Sequence, residues 1–163
     1  MDLSKVLAIS GKPGLYKMLT QTKNGMVVES ITDGKRFTAF THEQISTLEE
    51  ISIYTDDEDK PLKEVLKAMY DKLEGKEALS HKSDAEALKA FFEEAVPDYD
   101  KENVYISDIK KVIQWYNILQ ENNMLDFTEE EKKDEVPAEK EKAPDEKQET
   151  DEAVTSNKDK QEN

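Results

Sequence analysis

Few side chains in this sequence have the chemistry that catalysis or metal binding requires. The 163 residues include two histidines, His42 and His81, and no cysteine. A thiolate nucleophile, a disulfide framework and a cysteine-ligated zinc site are therefore excluded. His42 lies beside a candidate helix cap and His81 in a linker, so we interpret both as exposed surface residues. Because no nucleophile elbow, phosphate-binding loop, dinucleotide-binding glycine pattern or HExxH motif is present, we predict no enzyme activity and no cofactor.

Two acidic runs resemble metal ligands only in part. Residues 98–102 read Asp-Tyr-Asp-Lys-Glu, like the first ligands of a calcium loop, but Asn103 replaces the required glycine and Ile109 the final glutamate. Residues 56–59 are all acidic and precede a predicted helix, where negative charge interacts favourably with the helix dipole. We interpret both runs as structural and predict no metal site.

Basic and aromatic residues in the first third of the chain include what a nucleic-acid-binding face needs. Arg36 is the only arginine, however, so the bidentate contacts that arginine makes to phosphate and guanine are nearly absent. We interpret the cations as charged residues of a solvated surface, and nucleic-acid binding stays the alternative function. The candidate contact residues of this face are Lys12, Tyr16, Lys17, Lys35 and Arg36.

The single tryptophan, Trp115, is the candidate for contact with a protein partner. It lies at the edge of an apolar helical stripe that contains Tyr116, which we assign to the core. A tryptophan in this position either covers a small core or faces outward, and outward-facing aromatic residues often carry binding energy. Both interpretations are open from the sequence, and the second would give the helical part a docking surface.

Charge is distributed unevenly along the chain. Residues 1–55 contain six basic and six acidic side chains, residues 56–127 ten and eighteen, and residues 128–163 seven and fourteen. In the last segment only Val136 and Val154 are apolar residues larger than alanine. They cannot offset a backbone entropy of roughly 1–2 kcal/mol per residue, so we predict a disordered acidic tail over 128–163.

The N-terminal part has the pattern of short strands joined by tight turns. Asn24-Gly25 predicts a type I′ hairpin with positive φ at both residues, and Asp33-Gly34 predicts a second hairpin. A capping pattern at Thr41 predicts a short helical turn through Leu48. Because so few strands cannot bury two faces as an open sheet, we predict an SH3-like or Sm-like barrel over 1–57. Its strands are predicted at 15–20, 26–32, 36–40 and 51–55.

The part from residue 58 to residue 127 has apolar residues at helical spacing. Pro61 suits a first helical turn, and Ser83 and Ser107 are candidate N-caps. We predict a helical module whose helices pack on one another or on the barrel, which makes the protein α+β. Its helices are expected at about 61–74, 84–96 and 107–123.

Two stretches of the sequence, residues 3–16 (LSKVLAISGKPGLY) and residues 96–116 (from VPDYD to the WY pair), carry a resemblance. They resemble a family of small Bacteroidota proteins with an N-terminal domain of unknown function followed by a helical one. The resemblance covers residues 1–127. It implies this organisation and a bacterial cytoplasmic origin, and it supplies no mechanism.

These observations predict a non-enzymatic, cytoplasmic binding or adaptor protein that acts through protein–protein contacts. No run approaches the roughly 18 apolar residues of a membrane span, and the N-terminus lacks the pattern of a signal peptide, so no membrane association is expected. Two surfaces distinguish the alternatives. A contiguous positive face with Lys12, Lys17, Lys35 and Arg36 would favour nucleic acid, whereas an exposed apolar patch near Trp115 would favour a protein.

Overall fold

Short β-branched segments joined by tight turns form the first part of the chain. The computed structural model describes residues 1–127, so the predicted tail lies outside the described residues. Five strands pair antiparallel in the order β4-β3-β2-β1-β5. They are β1 (Val6–Ile9), β2 (Tyr16–Thr22), β3 (Gly25–Ser30), β4 (Arg36–Phe40) and β5 (Ile45–Thr47).

The predicted β2–β3 hairpin is present, but a glycine is needed at position 25 for a different reason from the one expected. Thr22 pairs with Gly25, so the turn is centred on Lys23 and Asn24, and neither Asn24 nor Gly25 has a positive φ. A Cβ on Gly25 would overlap the carbonyl oxygen of Ala39 on β4. The type I′ prediction is therefore wrong, and the glycine permits the close approach of a neighbouring strand.

The sheet is open, so the predicted closure into a barrel is wrong. Edge strands β4 and β5 do not pair with each other. Both edge strands contribute to one small cluster on one face of the sheet, through Phe37 and Ile45. On the opposite side, Val6 of β1 packs in the core that is shared with the helices, whereas Lys17 of β2 and Arg36 of β4 are exposed. The helices therefore cover only the part of this face near β1. The small cluster consists of Leu7, Ile9, Tyr16, Val28 and Ala39.

The segment between β4 and the helices also differs from expectation. The predicted helical turn is instead β5 followed by a 3-10 turn at Leu48–Glu50. The Glu43 carboxylate accepts the backbone N–H of Phe40 at 2.8 Å, which makes a turn that delivers β5 to the edge of β1. The predicted strand 51–55 is reduced to β6 (Ser52–Ile53), which pairs with β7 (Lys60–Pro61) in a separate small sheet.

Three helices follow, at α1 (Leu62–Leu73), α2 (Ala85–Ala95) and α3 (Ile106–Glu121). All their ends lie within two residues of the expected ones. The N-cap of α2 is Asp84, whereas Ser83 was expected. The N-cap of α3 is Tyr105, whereas Ser107 was expected. In α3 the carboxylate of Asp108 accepts the backbone N–H of Tyr105 at 3.1 Å, so this aspartate closes the first turn. None of the helices within residues 1–127 is long and apolar enough to cross a membrane.

The strands and the helices share one core, and residues 1–127 form one compact unit. The strand-rich part contributes apolar side chains from its first residues, from the start of β2 and from the 3-10 turn. The helices contribute the largest buried side chains. Because each part needs the other to bury its apolar face, we expect the two parts to fold together. The shared core includes Leu3, Val6, Leu15, Leu48, Leu66, Phe92, Ile113 and Tyr116.

Candidate functional site: two clefts beside helix α3

One flank of α3 is fastened to the loop that follows α1. The side-chain oxygen of Asn117 accepts the backbone N–H of Ala78 at 2.8 Å. Its amide nitrogen donates to the carbonyl oxygens of Ala78 and Leu79, each at 3.3 Å. A single amide thus satisfies three backbone groups of the loop, as buried polar groups require.

Two further side chains of α3 hold the same loop. The hydroxyl of Tyr116 donates to the carbonyl oxygen of Lys76 at 2.8 Å, and Gln120 donates to that of Gly75 at 3.3 Å. Burial raises the pKa of Tyr116 to about 12, because the phenolate would lose its hydration. The neutral hydroxyl is therefore retained as a donor, and this flank of α3 is a structural fastening.

A polar cleft of about 510 Å³ lies between this loop, α3 and the turns of the sheet. His81, Asp33, Glu77 and Glu121 are among its lining residues. His81 is half-buried here, whereas it was expected to be exposed, and His42 is exposed as expected. Within residues 1–127, no three His, Asp or Glu side chains converge closely enough to hold a metal ion.

The opposite flank of α3 faces β6 across a smaller, mainly apolar cleft of about 240 Å³. We call it the Trp115 cleft. Trp115 is half-buried, so it both packs against the shared core and lines this cleft. The tryptophan therefore covers part of the core, and its remaining surface faces the cleft. The cleft is lined by the apolar or aromatic residues Ile51, Ile53, Tyr54, Val104, Val112 and Trp115 and by the polar residues Ser52, Asn103, Asp108 and Lys111.

Tyr54 is part of the Trp115 cleft and was not among the candidate residues. Its side chain is 55% exposed, and Tyr105, which precedes α3, is 63% exposed. The sequence did contain a signal, since Tyr54 alternates with buried Ile53 in a short strand pattern. Its proximity to Trp115 could not be read from that pattern, because the two residues are distant in sequence.

Acidic loops continue from the rim of the Trp115 cleft. The carbonyl oxygen of Tyr54 accepts the backbone N–H of Asp100, and the N–H of Asp56 donates to the carbonyl oxygen of Asp98, both at 2.9 Å. These bonds place the acidic run 56–59 beside the acidic run 98–102. Depressions lined largely by carboxylates result on this side of the molecule.

Local hydrogen bonds keep two of these carboxylates ionised. The amide side chain of Asn103 and the backbone N–H groups of residues 102 and 103 bind the Asp100 carboxylate and lower its pKa. The ammonium group of Lys60 lies 3.0 Å from the Asp98 carboxylate and lowers the pKa of that group. Both side chains are therefore anionic at neutral pH.

The candidate cations of the sheet have acidic neighbours. Lys12 forms an ion pair with Glu43, and its ammonium group lies 4.9 Å from the centre of the Phe37 ring. Lys35 lies 3.6 Å from the Asp33 carboxylate. These cations therefore contribute less positive potential to the surface than their number suggests.

Two more cations lie on the strands that flank β3. Arg36 on β4 forms an ion pair with Glu29 on β3. Lys17 on β2 is exposed and pairs in register with the same Glu29. Glu29 on β3 thus lies between Lys17 on β2 and Arg36 on β4.

Tyr16, the aromatic candidate of this face, is a core residue. Only 7% of it is exposed, its hydroxyl donates to the carbonyl oxygen of Pro13 at 2.8 Å, and its ring meets that of Phe37 edge-on at 5.3 Å. Burial raises the pKa of Tyr16. Its ring is therefore not available for stacking on a base.

The fold and the two clefts define a class of small α+β protein in which an open antiparallel sheet and three helices share one core. Comparison with protein families divides this unit at the junction of its two parts. Residues 3–48 match a domain of unknown function (DUF5606), and residues 51–119 match a second domain of unknown function (DUF6852).

A solved structure is similar to this chain in sequence and in fold. It is a solution NMR structure of a protein from Bacteroides vulgatus, 43% identical, which aligns over 77% of this chain and 91% of its own chain with a TM-score of 0.65. Comparison with curated proteins finds no match. The chain belongs to this uncharacterised family, in which DUF5606 is followed by DUF6852, and the predicted relationship is confirmed.

Proposed function

We propose that the protein is a non-enzymatic adaptor that binds a protein partner through the Trp115 cleft. The observation that carries the proposal is the cleft itself, where Trp115 and Tyr54 line a mainly apolar space beside α3. Aromatic side chains at such positions provide large contact area and often dominate binding energy. The absence of cysteine supports the cytoplasmic location that is part of this proposal.

Catalysis has less support than binding. An active site needs a nucleophile or an acid–base pair within hydrogen-bond reach of a reacting atom. The polar cleft contains His81 and three carboxylates, yet Asp33 already binds the backbone N–H of Lys35 at 3.2 Å. The side chain of Asn117, which also lines the cleft, is fully engaged with the loop after α1.

The nucleic-acid alternative also has less support. Lys12, Lys35 and Arg36 lie in ion pairs with carboxylates, and Tyr16 is buried. Phosphate binding depends on basic side chains that displace counterions, and a cation already paired with a carboxylate contributes less. We therefore propose protein binding as the function and treat retention of nucleic acid as the outcome that would contradict it.

The test is affinity capture from a lysate of the native organism, with and without nuclease, using three forms of the full chain. The first is the wild type. Ser52→Phe introduces a ring at an exposed residue that lines the cleft, and Ser46→Phe makes the same change at an exposed residue of β5 outside it.

We expect partners that survive nuclease treatment, bind the wild type and Ser46→Phe equally, and are lost with Ser52→Phe. Thermal unfolding of all three forms verifies that the fold is intact. Partners that nuclease removes, or that bind Ser52→Phe as well as the wild type, would show that the proposal is wrong.

A further inference from the structure

We propose that the Trp115 cleft receives one large apolar side chain from a positively charged segment of a partner protein. This inference rests on the proposed function and adds the chemistry of the partner. Three features of the described residues support it: the size of the cleft, the charge of the loops that adjoin it, and the charge of the other available occupants.

The size of the cleft suits a single side chain. Its volume is about 240 Å³. Pockets that enclose a whole small-molecule ligand usually measure roughly 300–1,000 Å³. A leucine, phenylalanine or methionine from a partner chain would bury its apolar surface against Ile53, Val112 and Trp115. Such an anchored side chain is the common centre of a protein interface.

The surroundings of the cleft favour a positively charged segment. The acidic runs 56–59 and 98–102 both continue from residues that line the cleft or neighbour its lining. Lys60 is paired with Asp98 at 3.0 Å and Lys101 with Glu93 at 2.6 Å, and the lining itself contains one cation, Lys111, and one carboxylate, Asp108, so the excess negative charge lies in the adjoining loops. A partner with lysine or arginine beside its apolar anchor would meet complementary charge, which favours association and excludes acidic competitors.

Two parts of this protein could in principle occupy the cleft, a second copy of the chain and the segment 128–163. Both have a net negative charge. A second copy carries a net charge of −15 and would bring its own acidic surface to the same loops. The segment 128–163 contains fourteen acidic and seven basic side chains, so it too would be repelled. Charge complementarity therefore selects a basic partner over self-association and over the C-terminal segment.

The test is a display selection in which random peptides are bound to the full wild-type chain at low salt and depleted against Ser52→Phe. Enriched peptides are then titrated by NMR. Because Trp115 is the only tryptophan, it provides a single indole N–H resonance that reports directly on the cleft. We expect peptides rich in lysine or arginine around one large apolar residue, and a shift of the indole resonance on binding.

A charge-neutralised variant tests the contribution of the acidic loop. Asp57→Asn, Glu58→Gln and Asp59→Asn together should weaken binding of the selected peptides by about tenfold at low salt, and less as salt rises. The matched control removes three exposed carboxylates that line neither the Trp115 cleft nor the acidic depressions. It combines Asp71→Asn, Glu86→Gln and Glu121→Gln, and it should leave the affinity within about twofold.

The outcomes separate this inference from the proposed function. Enrichment of neutral or acidic peptides that still shift the Trp115 resonance would overturn the basic-partner inference and leave protein binding at the cleft intact. If no enriched peptide shifted the resonance, and Ser52→Phe captured the same partners as the wild type, both would be overturned. Selected basic peptides that bind the two triple variants equally would also overturn the inference.

Discussion

The side chains on the two flanks of helix α3 are used differently. On one flank, Asn117, Tyr116 and Gln120 bind backbone groups of the loop after α1, so polar side chains there are engaged within the protein. On the other flank, Trp115 faces a space with mainly apolar walls. Polar groups that are satisfied internally stabilise a fold, whereas uncovered apolar surface gains free energy only when another molecule covers it. The first flank therefore contributes to stability, and the second is where we propose that a partner binds.

The largest expected effect is on binding, from Trp115→Ala. Loss of the indole should weaken binding of a peptide selected on the wild type by about 30-fold, equivalent to about 2 kcal/mol. The affinity is measured by isothermal titration calorimetry. Because Trp115 also packs on the core, Tyr54→Ala provides a second variant at an exposed position and should weaken binding by about tenfold with little change in stability. Unchanged peptide affinity in both variants would contradict the proposal that this flank of α3 binds a partner.

The next effect is on stability, from Asn117→Ala. This change leaves the N–H of Ala78 without its acceptor, so the free energy of unfolding should fall by about 2 kcal/mol. Urea denaturation measures it. The neighbouring Gln114→Ala, on the same flank, should change the value by less than about 0.5 kcal/mol. If Asn117→Ala instead weakened peptide binding without lowering stability, the two flanks would not have separate roles.

A smaller loss of stability is expected for Tyr116→Phe. The substitution removes one hydroxyl and leaves the carbonyl oxygen of Lys76 without that donor, which should cost about 1 kcal/mol at neutral pH. Urea denaturation again provides the measurement. A cost near zero would indicate that water replaces the hydroxyl and that this flank is less tightly fastened than its distances suggest.

The same residue predicts a pH dependence. The pKa of Tyr116 is raised to about 12 from an ordinary value of 10.0, so the folded state retains the proton more strongly than the unfolded state. The associated stability is complete below pH 10 and is lost as the pH rises toward 12. The difference in the free energy of unfolding between the wild type and Tyr116→Phe should therefore become smaller as the pH rises from 10 toward 12. A constant difference between the two unfolding curves would contradict the assignment.

The smallest effect is expected on the sheet, away from both flanks. Arg36→Gln removes an exposed ion pair with Glu29, and such pairs contribute little, so stability should change by less than about 0.5 kcal/mol. Binding of a fluorescent single-stranded DNA, measured by anisotropy at low salt, should be weak in the wild type and unchanged by the substitution. Tight binding that Arg36→Gln abolishes would add a third functional region and favour the nucleic-acid alternative.

Local patterns were sufficient where short-range interactions decide the structure. The apolar spacing of residues 62–73 and 106–121 placed two helices to within two residues of their ends. Asp33-Gly34 marked a turn that does contain a positive φ at the glycine. The N-cap of α2 was less predictable, because Ser83 and Asp84 are adjacent and have similar propensities to cap a helix. At α3 the helix begins earlier than Ser107 suggests, because the Asp108 carboxylate accepts the backbone N–H of Tyr105.

The barrel prediction was wrong because it considered the strands without the helices. It assumed that the strands had to cover their own apolar faces, whereas Leu3, Val6 and Leu15 pack in a core shared with the helices. Similarly, Lys12 was a candidate for contact with phosphate, but its ion pair with Glu43 joins residues that are far apart in sequence. Side-chain availability depends on such contacts and not on residue type alone.

The amino-acid sequence by itself determined the α+β class, the positions of the helices, the acidic charge and the lack of cysteine chemistry. These properties depend on composition or on neighbours within a few residues. Only the tertiary structure decided that the sheet stays open, that Lys12, Lys35 and Arg36 have carboxylate partners, and that Trp115 and Tyr54 share one cleft. Each of these depends on residues brought together from distant parts of the chain, and packing of the shared core sets their distances.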